Sequence, residues 1–190
     1  MYHPPVPELA KKSRVILNTD AKNEADDQYA IVHSILTPSF DLHGIISAHF
    51  GDRKSATSQR DSHEEILRLL DLMNIKGQIP VQAGAPKALP DELTPVSSEG
   101  SALIIAEALK DDPRPLHVAF LGPLTDMASA LLEEPVSPNA MLSWFGSAAV
   151  NGPWEDRNLT CRTTSTQPTL CSDRTCNYGR FPAPSTKEWR

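Results

Sequence analysis

From residue 14 to residue 145, short apolar runs alternate with amphipathic stretches of helical length, and this alternation constrains the fold more than any other feature. Arg14-Val15-Ile16-Leu17-Asn18-Thr19 reads as a strand that is apolar on both faces and therefore buried. Asp26 to Leu36 reads as a helix with Ala30, Ile31 and Ile35 on one side and Pro38 as its stop. Leu42 to Ala48, around Ile45 and Ile46, is a second strand. Ser62-x-x-Glu65 has the form of a capping box. It would open a helix whose Ile66, Leu69, Leu70 and Met73 recur at i, i+3, i+4 and i+7. Ile79 to Ala83 is a short third strand, and Ser101 caps a helix running through Leu109. Leu116 to Leu121 is a fourth strand. Gly122-Pro123 opens a fourth helix, proline being suited to a first helical position, and Leu124, Met127, Ala128 and Leu131 form its stripe. Ala140 to Phe145 fits a fifth strand.

Strands alternating with helices of this length build βαβ units, so the expected fold class is α/β with a doubly wound, mainly parallel, Rossmann-like sheet. Ligands of such sheets bind beyond the carboxyl ends of the strands. The chemistry is therefore to be sought just after Leu17, Ala48, Ala83 and Leu121. Lys87 to Gly100, rich in Pro, Ser and Glu, reads as a surface connection rather than a domain boundary.

Charge divides the chain. The 190 residues carry a net charge of −6, but residues 1–150 hold 20 acidic and 12 basic side chains, whereas residues 151–190 hold 4 and 6. All three cysteines, Cys161, Cys171 and Cys176, follow that seam, as do only two Ile, Val, Leu or Met residues, Leu159 and Leu170. The expected organisation is an N-terminal extension (1–13), an α/β domain (14–150) and an irregular, disordered tail (151–190) that reads as a truncated or out-of-frame ending. Three cysteines with no CxxC pair do not make a zinc site. An acidic balance without a basic block argues against nucleic acid or an anionic membrane as partner. No apolar run approaches the ~18 residues of a membrane span. Met1-Tyr2-His3-Pro4-Pro5 lacks the basic and apolar regions of a secretory signal, so the expected location is the cytoplasm.

The densest chemistry follows the first strand. Asn18-Thr19-Asp20-Ala21-Lys22-Asn23-Glu24-Ala25-Asp26-Asp27 packs four carboxylates and two amides into ten residues. Asp26 and Asp27 would complement a helix N-terminus, and that alone would account for them. It does not account for Asp20, which leaves the hydrophobic strand directly. A hard cation accounts for the set, because calcium takes six to eight oxygen ligands from carboxylates, amides, backbone carbonyls and water. The spacing is not that of an EF-hand, and no His or Cys favours a softer metal.

The strand–Asp–Asp-Asp–helix opening resembles the N-terminal signature of nucleoside hydrolases, the inosine-uridine-preferring family, whose usual form is Asp-x-Asp-x-x-x-Asp-Asp. Here it is Asn18-x-Asp20 followed by Asp26-Asp27, with two extra residues and one acid replaced by an amide. Thr19-Asp20 through Asn23-Glu24 to Asp26-Asp27-Gln28 is similar to a divergent branch of that superfamily. Val81-Gln82-Ala83-Gly84-Ala85-Pro86 resembles the family's Val-x-x-Gly-Ala. Phe120-Leu121-Gly122-Pro123-Leu124-Thr125-Asp126-Met127-Ala128 resembles its Thr-Gly-Pro-Leu-Thr-Asn-Leu-Ala.

The resemblance implies hydrolysis of the N-glycosidic bond of a small ribonucleoside, with Ca²⁺ as cofactor and a homo-oligomer left open. Asp20 would bind calcium and deprotonate the attacking water. Asp27 would be the second calcium carboxylate, and the backbone carbonyl of Leu121 a third ligand. Asp26 would hold a ribose hydroxyl. Asn23, in the insertion, and His49, after the second strand, are further expected sugar contacts. Asn18 stands where the family has an outer aspartate, and removing that charge should weaken the site. The family's remaining calcium carboxylate belongs to a His-Asp pair far toward the C-terminus. This chain has no His-Asp pair and no histidine after His117, so the fold is expected to be incomplete there. Two alternatives follow. One is a catalytically impaired Ca²⁺- or sugar-binding pseudo-enzyme. The other is a Mg²⁺-dependent phosphatase with Asp20 as nucleophile and Lys87 as its phosphate-holding base.

Overall fold

A computed structural model of the chain describes residues 8–51, 53–91, 93–134 and the backbone of 142–146. After a 3₁₀ turn at Leu9–Lys11, the chain runs β1 (Ser13–Thr19), α1 (Asp26–Leu36), β2 (Phe40–Ser47), α2 (Ser58–Leu72) and β3 (Val81–Ala83). It continues through α3 (Glu99–Ala108), β4 (Leu116–Phe120), α4 (Thr125–Glu133) and β5 (Leu142–Gly146). The strands form one sheet in the order β3-β2-β1-β4-β5, every pair parallel. The chain therefore winds outward from β1 to β3, then returns to β4 on the other side of β1. Right-handed crossovers in opposite directions put helices on opposite faces. Leu17, Ile31, Ile45, Ile66 and Leu70 are buried together with α1 and α2. Ile16, Ile46, Ile104, Val118, Phe120 and Met127 are buried together with α3 and α4. Neighbours Ile16 and Leu17 thus face different cores, which is why the middle of β1, Val15 to Leu17, is apolar on both faces.

The doubly wound α/β fold expected from the alternation is present, but three helix starts differ. α2 begins at Ser58, not at Ser62. Ser62 is fully buried in the second turn and its hydroxyl donates to the Ser58 carbonyl at 3.1 Å. The helix entry is held instead by Asp61, which accepts the hydroxyls of Ser55 (2.6 Å) and Thr57 (3.0 Å). α3 begins at Glu99, two residues before Ser101. Ser98 caps it, accepting the Ser101 N–H at 2.9 Å while the Ser101 hydroxyl accepts the Ser98 N–H at 3.1 Å. Gly100 masks that start in the sequence, and it is glycine because a Cβ there would stand 2.5 Å from Ile46 Cγ2. α4 begins at Thr125, so Gly122-Pro123 lie in the turn before it. The tail expected at 151–190, with its cysteines, lies outside the described residues.

At the amino end of the sheet stands an ion network. Buried Arg14 meets Glu107 at 3.0 Å, His43 lies between Glu107 (2.9 Å) and Asp41 (3.1 Å), and Arg114 bridges Asp41 (2.8 Å) and Asp112 (2.7 Å). Charges so deeply placed are tolerated only when paired. Among the described residues no helix is long and apolar enough to cross a membrane.

Candidate active site

The strand order reverses between β1 and β4, and at such a switch point the loops part to leave a crevice at the carboxyl ends. The backbone ties these ends together: Leu121 N–H donates to the Asn18 carbonyl (2.9 Å) and Ala48 N–H to the Thr19 carbonyl (2.8 Å). Asp20 emerges from β1 at that point. It is 6 % exposed, and its carboxyl is pushed up to about 6, first by burial and then by the charge of Asp27. Asn23 holds it, donating from Nδ2 to Asp20 Oδ2 at 3.1 Å. The other end of that amide is engaged too, because Lys54 Nζ donates to Asn23 Oδ1 at 2.5 Å.

Asp27 reaches the same place from the first turn of α1. It is 5 % exposed, burial raises its carboxyl, and the Thr19 hydroxyl donating to Oδ1 opposes that rise. Gly122 makes the room. A Cβ on it would stand 3.0 Å from Asp20 Cγ. Asp20 is raised by burial and by Asp27, and Asp27 by burial and by the charges of Asp26 and Glu24, so the place is short of positive charge and a cation fits it. Asp20, Asp27 and the Leu121 carbonyl are the groups that would hold one. Among the described residues, no three His, Cys, Asp or Glu side chains converge as a metal site.

The expected residues therefore divide. Asp20, Asp27, Asn23 and Leu121 come together at the ends of β1 and β4. Asp26, one residue before Asp27, is exposed. His49 is buried, its Nε2 at 3.0 Å from Thr125 Oγ1 at the start of α4. Sequence reasoning missed Thr19 and Gly122 as supports of the two acids, and it missed the partner of Asn18. That amide donates to Asp126 Oδ2 at 2.9 Å, so the acid expected at position 18 has a counterpart on α4. The signal was present, because Asp126 falls in the Leu124-Thr125-Asp126 motif where the family pattern has an amide.

The family model for inosine-uridine preferring nucleoside hydrolases matches residues 15–161. Among solved structures, a plant nucleoside hydrolase is similar at 18 % identity and TM-score 0.54, over 70 % of this chain and 47 % of that one. A nucleoside hydrolase-related protein from Saccharophagus degradans, associated with carbohydrate metabolism, is 22 % identical at TM-score 0.47, over 71 % and 38 %. An inosine-guanosine nucleoside hydrolase is 22 % identical at TM-score 0.44, over 70 % and 47 %. The chain thus spans less than half the length of each of these structures. No curated protein matches it by sequence.

Proposed function

Because the chain belongs to the inosine-uridine preferring nucleoside hydrolase family, we propose that it cleaves, or descends from proteins that cleave, the N-glycosidic bond of ribonucleosides. The observation that carries this reading is the buried Asp20–Asp27 pair at the β1/β4 switch point. Calcium bound there would supply positive charge to orient the sugar hydroxyls and acidify a water. The chain's own residues do the rest. Asp20, leaving β1 at the carboxyl end of the sheet, would accept the water's proton as general base. Asn23 fixes the rotamer of Asp20 by holding Oδ2. Thr19 aims Asp27 inward. Asp26, exposed in the first turn of α1 beside Asp27, would accept a ribose hydroxyl. The ribose ring would pass through an oxocarbenium-like state of the general glycosidase kind as the N-glycosidic bond breaks, the base departing protonated and the water's oxygen joining the anomeric carbon.

One observation favours a second reading. Two carboxylates and one carbonyl are fewer oxygens than calcium's six to eight, so a binding protein without turnover fits the described residues as well. One experiment tests both. The full chain is incubated with inosine or uridine in calcium, released base is measured, and the unfolding midpoint is recorded with and without the ion. Base release abolished by Asp20→Ala supports the enzyme. A calcium-induced rise of the midpoint without release supports the binding protein, and the absence of both overturns the two together. Saturation at a hundredfold excess over Kd would stabilise by ~2.7 kcal/mol.

A further inference from the structure

Asp126 is the most enclosed carboxylate near the candidate site, at 1 % exposure, and the Asn18 side chain beside it is fully buried. Its Oδ1 accepts the Ala85 N–H at 2.8 Å and the Ser98 hydroxyl at 2.7 Å, while Oδ2 accepts Asn18 Nδ2 at 2.9 Å. Each donor comes from a different segment: the turn after β3, the cap of α3 and the end of β1. Two glycines close over the carboxylate. A Cβ on Gly84 would stand 2.6 Å from Oδ2, and one on Gly100 would stand 3.1 Å from Oδ1. All three donors are neutral, so the carboxylate is held by hydrogen bonds alone, which suffices when each oxygen is satisfied. The backbone of Asn18 accepts Leu121 N–H, and Thr125, beside Asp126, meets His49. The same pair of side chains therefore ties together the segments that carry Asp20, His49 and Gly122. Asn18 Oδ1 has no hydrogen-bond partner among the described residues.

We infer that Asn18 and Asp126 act as one positioning unit beneath the candidate site, carrying a single negative charge that either residue can hold. The inference deepens the proposed calcium-dependent reading and rests on it for its functional half. The chemistry follows from the geometry. Asn18→Asp sets two carboxyl groups against each other in a buried place, where both cannot ionise without repulsion. Asp126→Asn keeps every bond, because Asn18 can turn its unpartnered Oδ1 toward the introduced amide, but it removes the charge. The double exchange restores one acid facing one amide, with the introduced amide's oxygen still available to Ala85 and Ser98.

The test is a double-mutant cycle on the full chain, with unfolding midpoints measured in the absence and presence of calcium chloride. Asn18→Asp should lower the calcium-free midpoint by on the order of 10 °C. The double exchange should return to within a few degrees of the unaltered chain. Asp126→Asn should keep its calcium-free midpoint and lose at least half of the calcium-induced rise, and the double exchange should recover that rise. A double variant no more stable than Asn18→Asp would overturn the inference, as would Asp126→Asn responding fully to calcium. If the unaltered chain shows neither a calcium response nor base release, the proposed function fails, while the calcium-free cycle still decides whether the pair is one unit.

Discussion

Gly122 lies directly against the side chain of Asp20, so that a Cβ on the glycine would stand 3.0 Å from Asp20 Cγ and 3.1 Å from Oδ1. The family motif's glycine is therefore a steric requirement of the acid 102 residues earlier, not of its own turn. Gly122→Ala should displace Asp20 by a few tenths of an ångström and destabilise by about 1–3 kcal/mol. Misplacing a catalytic base costs rate disproportionately. Base release should fall at least tenfold with the chain still folded by circular dichroism. Unchanged turnover in this variant would remove Asp20 from the chemistry.

Replacing Asp20 by Asn separates charge from shape. As a general base, its loss should lower the rate by roughly 10²–10⁴-fold. Stability moves the other way. The folded carboxyl, at about 6, lies above its ordinary 3.8, so ionisation opposes folding. That cost is absent below about pH 4, grows between 4 and 6, and is complete above. Without calcium, the midpoint should fall across this window, and Asp20→Asn should flatten the profile. A profile equally steep in the variant would show that burial does not strain this acid.

Thr19→Val keeps the shape of a fully buried side chain and deletes the hydroxyl that Asp27 accepts. A buried charged acceptor losing its donor costs about 1–3 kcal/mol. Asp27 should then be harder to ionise, and calcium titration by calorimetry should give a weaker Kd, most clearly below pH 6. An unaltered Kd would place Asp27 outside the cation site.

At the other end of the sheet, Arg14→Met takes one partner from buried Glu107 and leaves it Lys110 and His43, so it should cost about 1–3 kcal/mol. The acids there respond to pH in the opposite sense to Asp20. Burial of Glu107 and Asp41 is outweighed by bonds from Lys110 and Arg14 and from Arg114 and His43, and both are held low. Their stabilisation is full above the ordinary carboxylate range and is lost only as pH falls below it. Arg14→Met should therefore lower the neutral-pH midpoint without changing calcium affinity. A change in affinity would couple the two edges.

The alternation of strands and helices was legible because each element carries its own period, and the doubly wound class follows from that order alone. Helix starts were less legible. Ser62-x-x-Glu65 mimics a cap, but the first turn of α2 is set by Asp61 and two hydroxyls in the loop before it. Asp20 stood out because an acid leaving an apolar strand has no local explanation. Asp26 and Asp27 look alike in sequence, yet helix geometry turns one outward and the other toward Thr19. Asn18 was read as a missing charge because its partner lies 108 positions away, a separation over which no local pattern reports.

Gly84, Gly100 and Gly122 carry no functional group, yet each presses on an acid of the site or on the backbone beneath it. In a saturation library selected for activity, these three positions should tolerate as little change as Asp20 itself. A selection experiment would rank them among the chain's chemistry, when what it detects is the empty volume around two carboxylates.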